Sequence, residues 1–168
     1  QHFVNGLEAV HDFKPFRGLF SQDRAGIEKM RLFEDLYPPV THPVVTVHPL
    51  TGKKCIYVNP QFTLYIKGMA EDESRMVLDM LFRKAQIHEY QYRHHWQADM
   101  VVFWDNRCMQ HAALHDYYPQ RRLMERVTIQ GSTPVAAYPA AEPSELRRYL
   151  MPPLSAFKAT AQKRQHER

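Results

Sequence analysis

The sequence predicts a mixed α/β fold that is mainly β, and three observations support this. Two alternating apolar stretches, VVTVHP and KKCIYVN, flank Leu50-Thr51-Gly52, a turn whose glycine can adopt a positive φ angle, which is typical of a β-hairpin. The apolar run Met100–Trp104 does not alternate, as expected of a strand covered on both faces. The stretch Arg121–Ile129 alternates, and a strand there places Arg122 and Arg126 on one face.

Two longer segments have the periodicity of amphipathic helices. In Asp23–Leu36 apolar residues recur at helical spacing, and Pro38-Pro39 ends the segment. Glu71–Gln86 begins with three acidic residues and carries basic residues near its end, an order that favours the helix dipole. The apolar stripe of this second helix, which we interpret as core packing, consists of Met76, Val77, Met80 and Leu81.

Shorter patterns assign other segments. Residues 2–10 have apolar side chains at helical spacing and predict one or two helical turns. The alternating EYQYRHHW of residues 89–96 predicts a strand. His42 and His48 share parity around the hairpin and could approach one ion, but each precedes a proline, which favours a structural role at a strand edge or turn.

Length and composition fit a single folded domain. The 168 residues are 44% hydrophobic and 24% charged, with a net charge of +4. Much of the basic surplus follows Pro143 without an aromatic ladder, so we expect a solvated tail and no nucleic-acid partner. No run approaches the roughly eighteen apolar residues of a membrane helix, so no membrane partner is expected. Two cysteines without metal-ligand spacing suit a reducing cytosol, so the chain is expected to be cytoplasmic, and a homo-oligomer stays open.

The candidate functional residues lie in WDNRCMQHAALHDYYPQRRLMER, residues 104–126. His111 stands between two predicted strands, and Arg122 and Arg126 would be about 13 Å apart along a strand. Guanidinium groups pair bidentately with carboxylate or sulfonate-like groups, so the pattern suggests a metal with a small dianion beside it. Other interpretations stay open: His111 and His115 have the spacing of a zinc pair, without the Glu of HExxH, and the arginines could pair with nearby acids.

Within this stretch, WDNR, the QH that follows, QRR and the R-V-T strand that ends at a glycine resemble the C-terminal signature of the taurine dioxygenase family. The likeness extends upstream through HPVVTVHPLTGKKCIYVNPQF and covers roughly residues 7–134. It implies an iron(II)- and 2-oxoglutarate-dependent dioxygenase on a double-stranded β-helix, or jelly-roll, core with flanking helices. Residues 1–134 would be the C-terminal part of that domain, and residues 135–168 a connector and a basic tail.

The resemblance also implies a role for each matched residue. His111 corresponds to the distal iron-binding histidine, and Arg122 to the arginine that pairs with the far carboxylate of 2-oxoglutarate. Arg126 is similar to a second arginine, near the chelating end of 2-oxoglutarate and the anionic group of the substrate. Phe62 and Phe16 match aromatic residues that line the substrate pocket. The implied reaction uses O2, hydroxylates a small anionic sulfonate, sulfate ester or carboxylate, and releases succinate and CO2.

One departure from the family pattern is large. The family takes its other two iron ligands from a His-x-Asp or His-x-Glu motif, and no histidine of this chain has an acid two residues later. We therefore expect an N-terminal portion, with the strand that carries these ligands, to lie outside these residues. The barrel would then be incomplete, with unpaired strand edges and an exposed apolar seam. The competing hypothesis is a non-catalytic jelly-roll module for binding or assembly that has lost its iron.

Overall fold

The computed structural model describes residues 2–13, 17–18, 20 and 22–140, so Phe16 and the tail predicted from Ser144 lie outside the described residues. The strands are β1 Glu8–His11, β2 Val40–Pro43, β3 Val45–Val47, β4 Lys54–Ile56, β5 Thr63–Ile66 and β6 Val135–Ala136. The helices are α1 Arg24–Leu36 and α2 Glu71–Phe82, and 3-10 turns cover His2–Val4, Arg83–Gln86 and His88–Tyr90. The strands form two antiparallel sheets, β2-β1-β5 and β4-β3-β6, which confirms a mixed α/β class with an antiparallel framework.

Strand β1 replaces most of the predicted N-terminal helix. Burial alternates along it, since Leu7 is 2%, Ala9 0% and His11 7% exposed. Gly6, with a φ of 74°, turns the chain into this strand. The helix prediction is therefore wrong beyond the first 3-10 turn. Phe3 and Leu7 fit helical spacing, whereas the actual two-residue period runs through the small Ala9.

The predicted hairpin is confirmed, and one buried residue joins it to the first sheet. Strands β3 and β4 pair antiparallel around a turn in which Gly52 has a φ of 67°. Val44, which is 0% exposed, separates β2 from β3. Its N–H donates to the Leu7 carbonyl and its carbonyl accepts from the Tyr57 N–H, both at 2.9 Å. One continuous stretch of chain therefore belongs to both sheets, with Val44 at the corner.

The first predicted helix is confirmed as α1, although it contributes little to the core. The Asp23 carboxylate caps it by accepting from the Gly26 N–H at 2.8 Å. Gly26 is its one buried residue. The ring of Phe33 contacts three aromatic neighbours at centroid distances between 5.5 and 6.3 Å, namely Phe13, Phe20 and Tyr37.

The second predicted helix is confirmed as α2, but its buried face differs from the predicted one. Leu78 and Leu81 are 4% and 6% exposed, and the Ser74 hydroxyl accepts from a β5 backbone N–H at 2.7 Å. Met76 and Met80 are 73% and 48% exposed, so the prediction that the stripe packs in the core is wrong for both methionines. It is confirmed for Leu81, and Val77 packs against the core. The buried face is spaced i, i+4, i+7 and begins at the small polar Ser74, which an apolar pattern does not detect.

The hydrophobic core lies between the sheets and α2. Its buried members are Leu7, Ala9, Val44, Val58, Ile66, Leu78 and Leu81. All of them precede residue 82, so the first half of the chain builds the core of the described part. Of the helices that the structure describes, none is long and apolar enough to cross a membrane.

Three predicted strands do not form in the described part of the chain. Residues 89–96, 100–104 and 121–129 have no strand structure. Val101 is 95% and Val127 91% exposed, so the predicted apolar seam is present. A β-type sequence becomes a strand only when a neighbouring backbone shares its hydrogen bonds. Among the described residues no strand lies beside these segments, and the strand predictions are wrong for that reason.

Strand β6 lies just past the predicted domain boundary at residue 134. Its two residues pair antiparallel with Val47 and Thr46 of β3. Lys54 donates to the Tyr138 hydroxyl, and its ammonium lies 4.1 Å from the centroid of that ring. The first residues of the predicted connector therefore pack on the second sheet.

Candidate functional site

Asp105 holds together the loop that leads to the predicted metal ligand; we call residues 105–111 the His111 loop. The Asp105 carbonyl accepts from the N–H groups of Cys108 at 3.3 Å and Met109 at 3.0 Å, which closes a turn. Its carboxylate accepts from the Arg107 backbone N–H at 2.9 Å. The same carboxylate accepts from the Arg107 guanidinium at distances between 2.6 and 3.0 Å.

His48 ties the His111 loop to the β3–β4 hairpin. Its Nε2 lies 3.0 Å from Asp105 Oδ2. Its Nδ1 accepts from the N–H groups of Leu50 at 3.3 Å and Thr51 at 3.2 Å. Because Nδ1 accepts these two hydrogen bonds, the ring carries its proton on Nε2, and this N–H donates a hydrogen bond to the carboxylate. His48 is 8% exposed, so water has little access to this bond.

Charge within the loop favours an ionised Asp105 and a protonated Cys55. The Arg107 guanidinium and then the His48 N–H hold the pKa of the Asp105 carboxyl well below its usual range. Burial raises the pKa of the Cys55 thiol, and the nearby Cys108 and Asp105 raise it further.

A second connection lies directly before His111. The Gln110 side-chain amide donates to the Val58 carbonyl at 3.0 Å, and Val58 is 1% exposed. The ring of His111 packs beside Trp104, with centroids 4.7 Å apart and planes inclined by 54°. The Trp104 indole N–H donates to Asn106 Oδ1 at 2.9 Å. His111 itself is exposed, with its ring open to solvent.

The two arginines that were predicted to bind anions are exposed. The guanidinium carbon of Arg122 lies 5.6 Å from the centroid of Tyr117, within cation–π range. Asp116, an acid close by in sequence, pairs instead with Arg93. In the described part of the chain no acid pairs with Arg122 or Arg126, so both guanidinium groups keep donors for an external anion.

Phe62, a predicted pocket residue, lies in a tight turn before β5. Its N–H and that of Gln61 donate to the Asn59 side-chain oxygen at 2.9 and 3.0 Å, which forms an Asx turn. Its carbonyl accepts from the Asp12 N–H at 2.8 Å. Phe62 is 40% exposed, so part of its ring can contact a ligand. Phe16, the other predicted pocket residue, lies outside the described residues.

A separate histidine cluster lies in the first sheet. The ring of His11 is 5.1 Å from His42 and 6.0 Å from Tyr57, and its Nε2 lies 3.3 Å from Thr63 Oγ1. Burial, and after it the neighbouring His42, lowers the pKa of His11 to about 4. Burial also lowers the pKa of His42 and raises that of Tyr57. His11 is therefore a neutral, packed histidine at pH 7.

Three potential metal ligands lie together in the described residues, but His111 is not among them. One ligand atom each of His48, Asp105 and Cys108 lie within 4.8 Å of one another. Both ring nitrogens of His48 are already engaged, and a guanidinium already neutralises Asp105, so this group is poorly suited to a cation. The exposed imidazole of His111 has no hydrogen bond to another described residue and fits a single iron ligand. The role of His111 as an iron ligand therefore stays a prediction.

Comparisons with known proteins decide the family. The sequence profile described as "Taurine catabolism dioxygenase TauD, TfdA family" matches residues 1–128. The chain belongs to this family. Its match to the TauD, TfdA profile takes in the hairpin, the His111 loop and both candidate arginines.

Individual relatives agree with the TauD, TfdA assignment. A Saccharomyces cerevisiae protein named alpha-ketoglutarate-dependent sulfonate dioxygenase is 37% identical over 139 residues, which are 80% of this chain and 32% of that protein. An Acinetobacter baylyi protein named alkylsulfatase is 38% identical over 141 residues, 82% of this chain and 44% of that protein. The chain thus spans less than half the length of the curated relatives it matches.

A solved structure also resembles this chain. It is from Burkholderia xenovorans, and its assignment as an alpha-ketoglutarate-dependent 2,4-D dioxygenase is provisional. The two superpose with a TM-score of 0.52 at 27% identity, over 64% of this chain and 41% of that one. The family resemblance read from the sequence is thereby confirmed. The roles of individual site residues stay predictions, since no described contact joins His111, Arg122, Arg126 and Phe62 to one another.

Three contacts that shape the site were missed by sequence reasoning. Asp105 and Arg107 stand two residues apart in WDNR, and this spacing was a visible signal for a local ion pair. The partner His48 is 57 positions away, and Val58 is 52 positions from Gln110. Contacts over such separations depend on how the hairpin folds back, which periodicity does not reveal.

Proposed function

We propose that this chain acts in an iron(II)- and 2-oxoglutarate-dependent dioxygenase that hydroxylates a small anionic compound of the sulfonate or sulfate ester type. One observation carries the proposal: an exposed imidazole, His111, precedes two guanidinium groups, Arg122 and Arg126, with no acid partner in the described residues. The chain belongs to the TauD, TfdA family. The names of the yeast and Acinetobacter relatives, a sulfonate dioxygenase and an alkylsulfatase, support the substrate class.

His111 would provide one imidazole ligand to the iron. Bound iron(II) supplies the activation of dioxygen, coupled to the conversion of 2-oxoglutarate to succinate and CO2. A three-ligand face needs two further protein ligands. The chain has no histidine with an acid two residues later, so these 168 residues do not provide the two ligands through a His-x-Asp or His-x-Glu motif.

The arginines would bind and orient the two anions. The planar fork of Arg122 suits the far carboxylate of 2-oxoglutarate, which it can hold through two parallel hydrogen bonds. Arg126 would bind the anionic group of the substrate, near the chelating end of 2-oxoglutarate. Phe62, and Phe16 as a continuing prediction, would line the pocket with apolar surface and keep water from the reacting carbon.

We further propose that the two sheets belong to a jelly-roll core. Both are antiparallel, as that architecture requires. The superposition with the Burkholderia xenovorans structure supports the assignment. The exposed seam in residues 100–129 would then be the surface that further strands of the barrel cover.

The test uses the intact protein, freed of metal and kept anaerobic. Addition of iron(II) and 2-oxoglutarate should produce the weak visible charge-transfer band of the chelate. After exposure to air, succinate should form only when iron(II) is present, and fastest with one member of a panel of sulfonates, sulfate esters and carboxylates. The absence of both the band and succinate across that panel would support the non-catalytic binding module instead.

Arg122→Ala should weaken 2-oxoglutarate binding strongly, because it leaves a carboxylate without its charged partner, a loss of about 2–5 kcal/mol. Arg126→Ala should act mainly on the KM of the primary substrate. Arg121→Ala removes the same charge from the neighbouring residue and serves as the matched control. Titrations of 2-oxoglutarate and of substrate on all three variants separate the roles. An equal loss of 2-oxoglutarate affinity in Arg122→Ala and Arg121→Ala would contradict the assignment.

A further inference from the structure

The His111 loop has few contacts with the rest of the described molecule. Residues 88–130 form no strand and contain no buried residue among those described. A ligand on such a segment can stand at a defined place only if specific contacts hold it, because backbone and side-chain entropy favour many positions.

Two side-chain hydrogen bonds connect the His111 loop to the folded core. At its start, His48 Nε2 donates to Asp105 Oδ2 at 3.0 Å, and at its end the Gln110 amide donates to the Val58 carbonyl at 3.0 Å. His48 and Val58 are 8% and 1% exposed, so both bonds end on buried residues. They bracket the turn, and His111 follows the second bond directly.

The loop between these two bonds is braced by hydrogen bonds of its own. Asp105 closes the turn through its carbonyl and pairs with the Arg107 guanidinium through both carboxylate oxygens. These bonds oppose a change of the loop's shape, so a shift at either end of the loop should displace the imidazole as well. On the far side, the Trp104 ring limits how His111 can rotate.

We propose that His48 and Gln110 are positioning residues, which hold the His111 loop on the β3–β4 hairpin and its flank and so set where the His111 imidazole meets the metal. The inference rests on the proposed function, because it takes His111 as a metal ligand. Neither residue touches metal or substrate in this role. Outer partners that orient a metal ligand typically change metal affinity by about 10- to 100-fold when they are removed.

The group formed by His48, Asp105 and Cys108 suggests a different role for His48, as a ligand of a second metal ion. Its geometry favours the positioning role. His48 uses both ring nitrogens in hydrogen bonds, and the Asp105 carboxylate is held by a guanidinium. A cation there would have to displace these partners and lie beside a positive charge.

The experiment compares four single variants of the intact protein with the wild type. His48→Leu removes the Nε2 donor, whereas His48→Gln keeps an N–H in reach of Asp105. Gln110→Leu removes the second bond from an exposed side chain and should not disturb the core. His95→Leu removes an exposed imidazole that has no role in the proposal, and serves as the control.

Anaerobic titration with cobalt(II) gives the metal affinity, the number of ions bound, and a visible spectrum that reports coordination geometry. We expect His48→Leu and Gln110→Leu to weaken cobalt(II) binding by about 10- to 100-fold and to alter the spectrum. His48→Gln should recover most of the affinity, and His95→Leu should match the wild type. The amides of residues 106–111 should exchange hydrogen faster in both Leu variants even without metal.

The outcomes separate this inference from the proposed function. If the wild type binds no metal and forms no succinate, the proposed function fails, and the positioning role falls with it. If the wild type binds metal while His48→Leu and Gln110→Leu both bind it equally well, only the positioning role fails. A loss of one of two bound ions in His48→Leu would make His48 a ligand and overturn the inference. Should His48→Leu not fold, Gln110→Leu and the rescue variant still decide.

Discussion

Residues 7–82 and residues 88–130 make different use of their apolar side chains. The first region contains every buried hydrophobic residue that the structure describes, and its strands pair in two sheets. The second region contains β-type runs of similar character, yet no strand forms, and Val101, Phe103 and Val127 are at least 82% exposed. Strand-forming sequence alone is therefore insufficient, because a strand requires a partner backbone.

The two regions also divide the work of the candidate site. Residues 88–130 carry His111, Arg122 and Arg126, whereas residues 7–82 carry Phe62 and the His48 and Val58 groups that hold the loop. On the proposed roles, the binding groups lie on the less buried segment and the more buried segment positions them. Binding and reacting groups are commonly arranged this way, on irregular segments held by a rigid scaffold.

The largest expected difference between the two regions concerns a matched pair of isoleucines. Ile66 is 0% and Ile129 73% exposed. In a protein limited to these 168 residues, Ile66→Ala should lower the free energy of unfolding by about 2–5 kcal/mol through lost burial and a cavity. Ile129→Ala, which no further barrel strand then covers, should lower it by at most about 0.5 kcal/mol. Urea denaturation of both variants measures the difference. A similar loss in Ile129→Ala would show that the second region is covered in solution. The two regions would then not differ in burial.

A smaller loss of stability is expected at acidic pH, and it originates in residues 7–82. The pKa of His11 is lowered to about 4 by burial and by His42, from an ordinary value of 6.5. The unfolded chain therefore takes up the proton first, so stability is complete above pH 6.5 and falls as the pH drops from 6.5 towards 4. The loss should be on the order of 1–3 kcal/mol.

Free energies of unfolding between pH 7.5 and pH 4 test this expectation. His11→Gln, which cannot titrate but keeps a polar group near Thr63, should flatten much of the pH dependence. His95→Gln removes an exposed histidine and should leave the pH dependence unchanged. Equal slopes in the wild type and His11→Gln would show that other groups cause the acid sensitivity.

The smallest expected effect concerns α1, which lies within residues 7–82 but is almost as exposed as residues 88–130. Gly26 is its one buried residue, so the helix depends on local contacts more than α2 does. Asp23→Ala removes the N-cap and should cost about 1 kcal/mol of local helix stability, seen as faster amide exchange at the start of α1. Asp23→Asn should behave like the wild type, because asparagine caps equally well. If Asp23→Ala leaves exchange unchanged, tertiary contacts hold α1 and it belongs with the core.

Sequence reasoning was most successful where the signal is local. The start of α1 at Asp23, the acidic start of α2 and the Gly52 turn each depend on neighbouring residues, and all three form as predicted. It failed where distant partners decide, as for β1, which is a strand because β2 and β5 share its backbone hydrogen bonds.

For the candidate site, the motif predicted the family, which is confirmed. It also assigned a role to each site residue, and these roles stay predictions. It could not place His48 beside Asp105, because that contact depends on the fold of the hairpin. The methionine stripe failed for a related reason, since the face that α2 buries is chosen by β5 through Ser74 and not by hydrophobicity alone.

The corner at Val44 limits where residues can be inserted into this chain. A single residue lies between β2 and β3, so an insertion there would shift every side chain of β3 to the opposite face relative to the first sheet. The hairpin turn is less constrained, because Leu50 is 81% exposed, although the N–H groups of Leu50 and Thr51 donate to His48 Nδ1. Inserted tags, linkers or reporter peptides at residues 50–52 should therefore leave the core folded but weaken the hold on His48, whereas an insertion at residue 44 should disrupt folding.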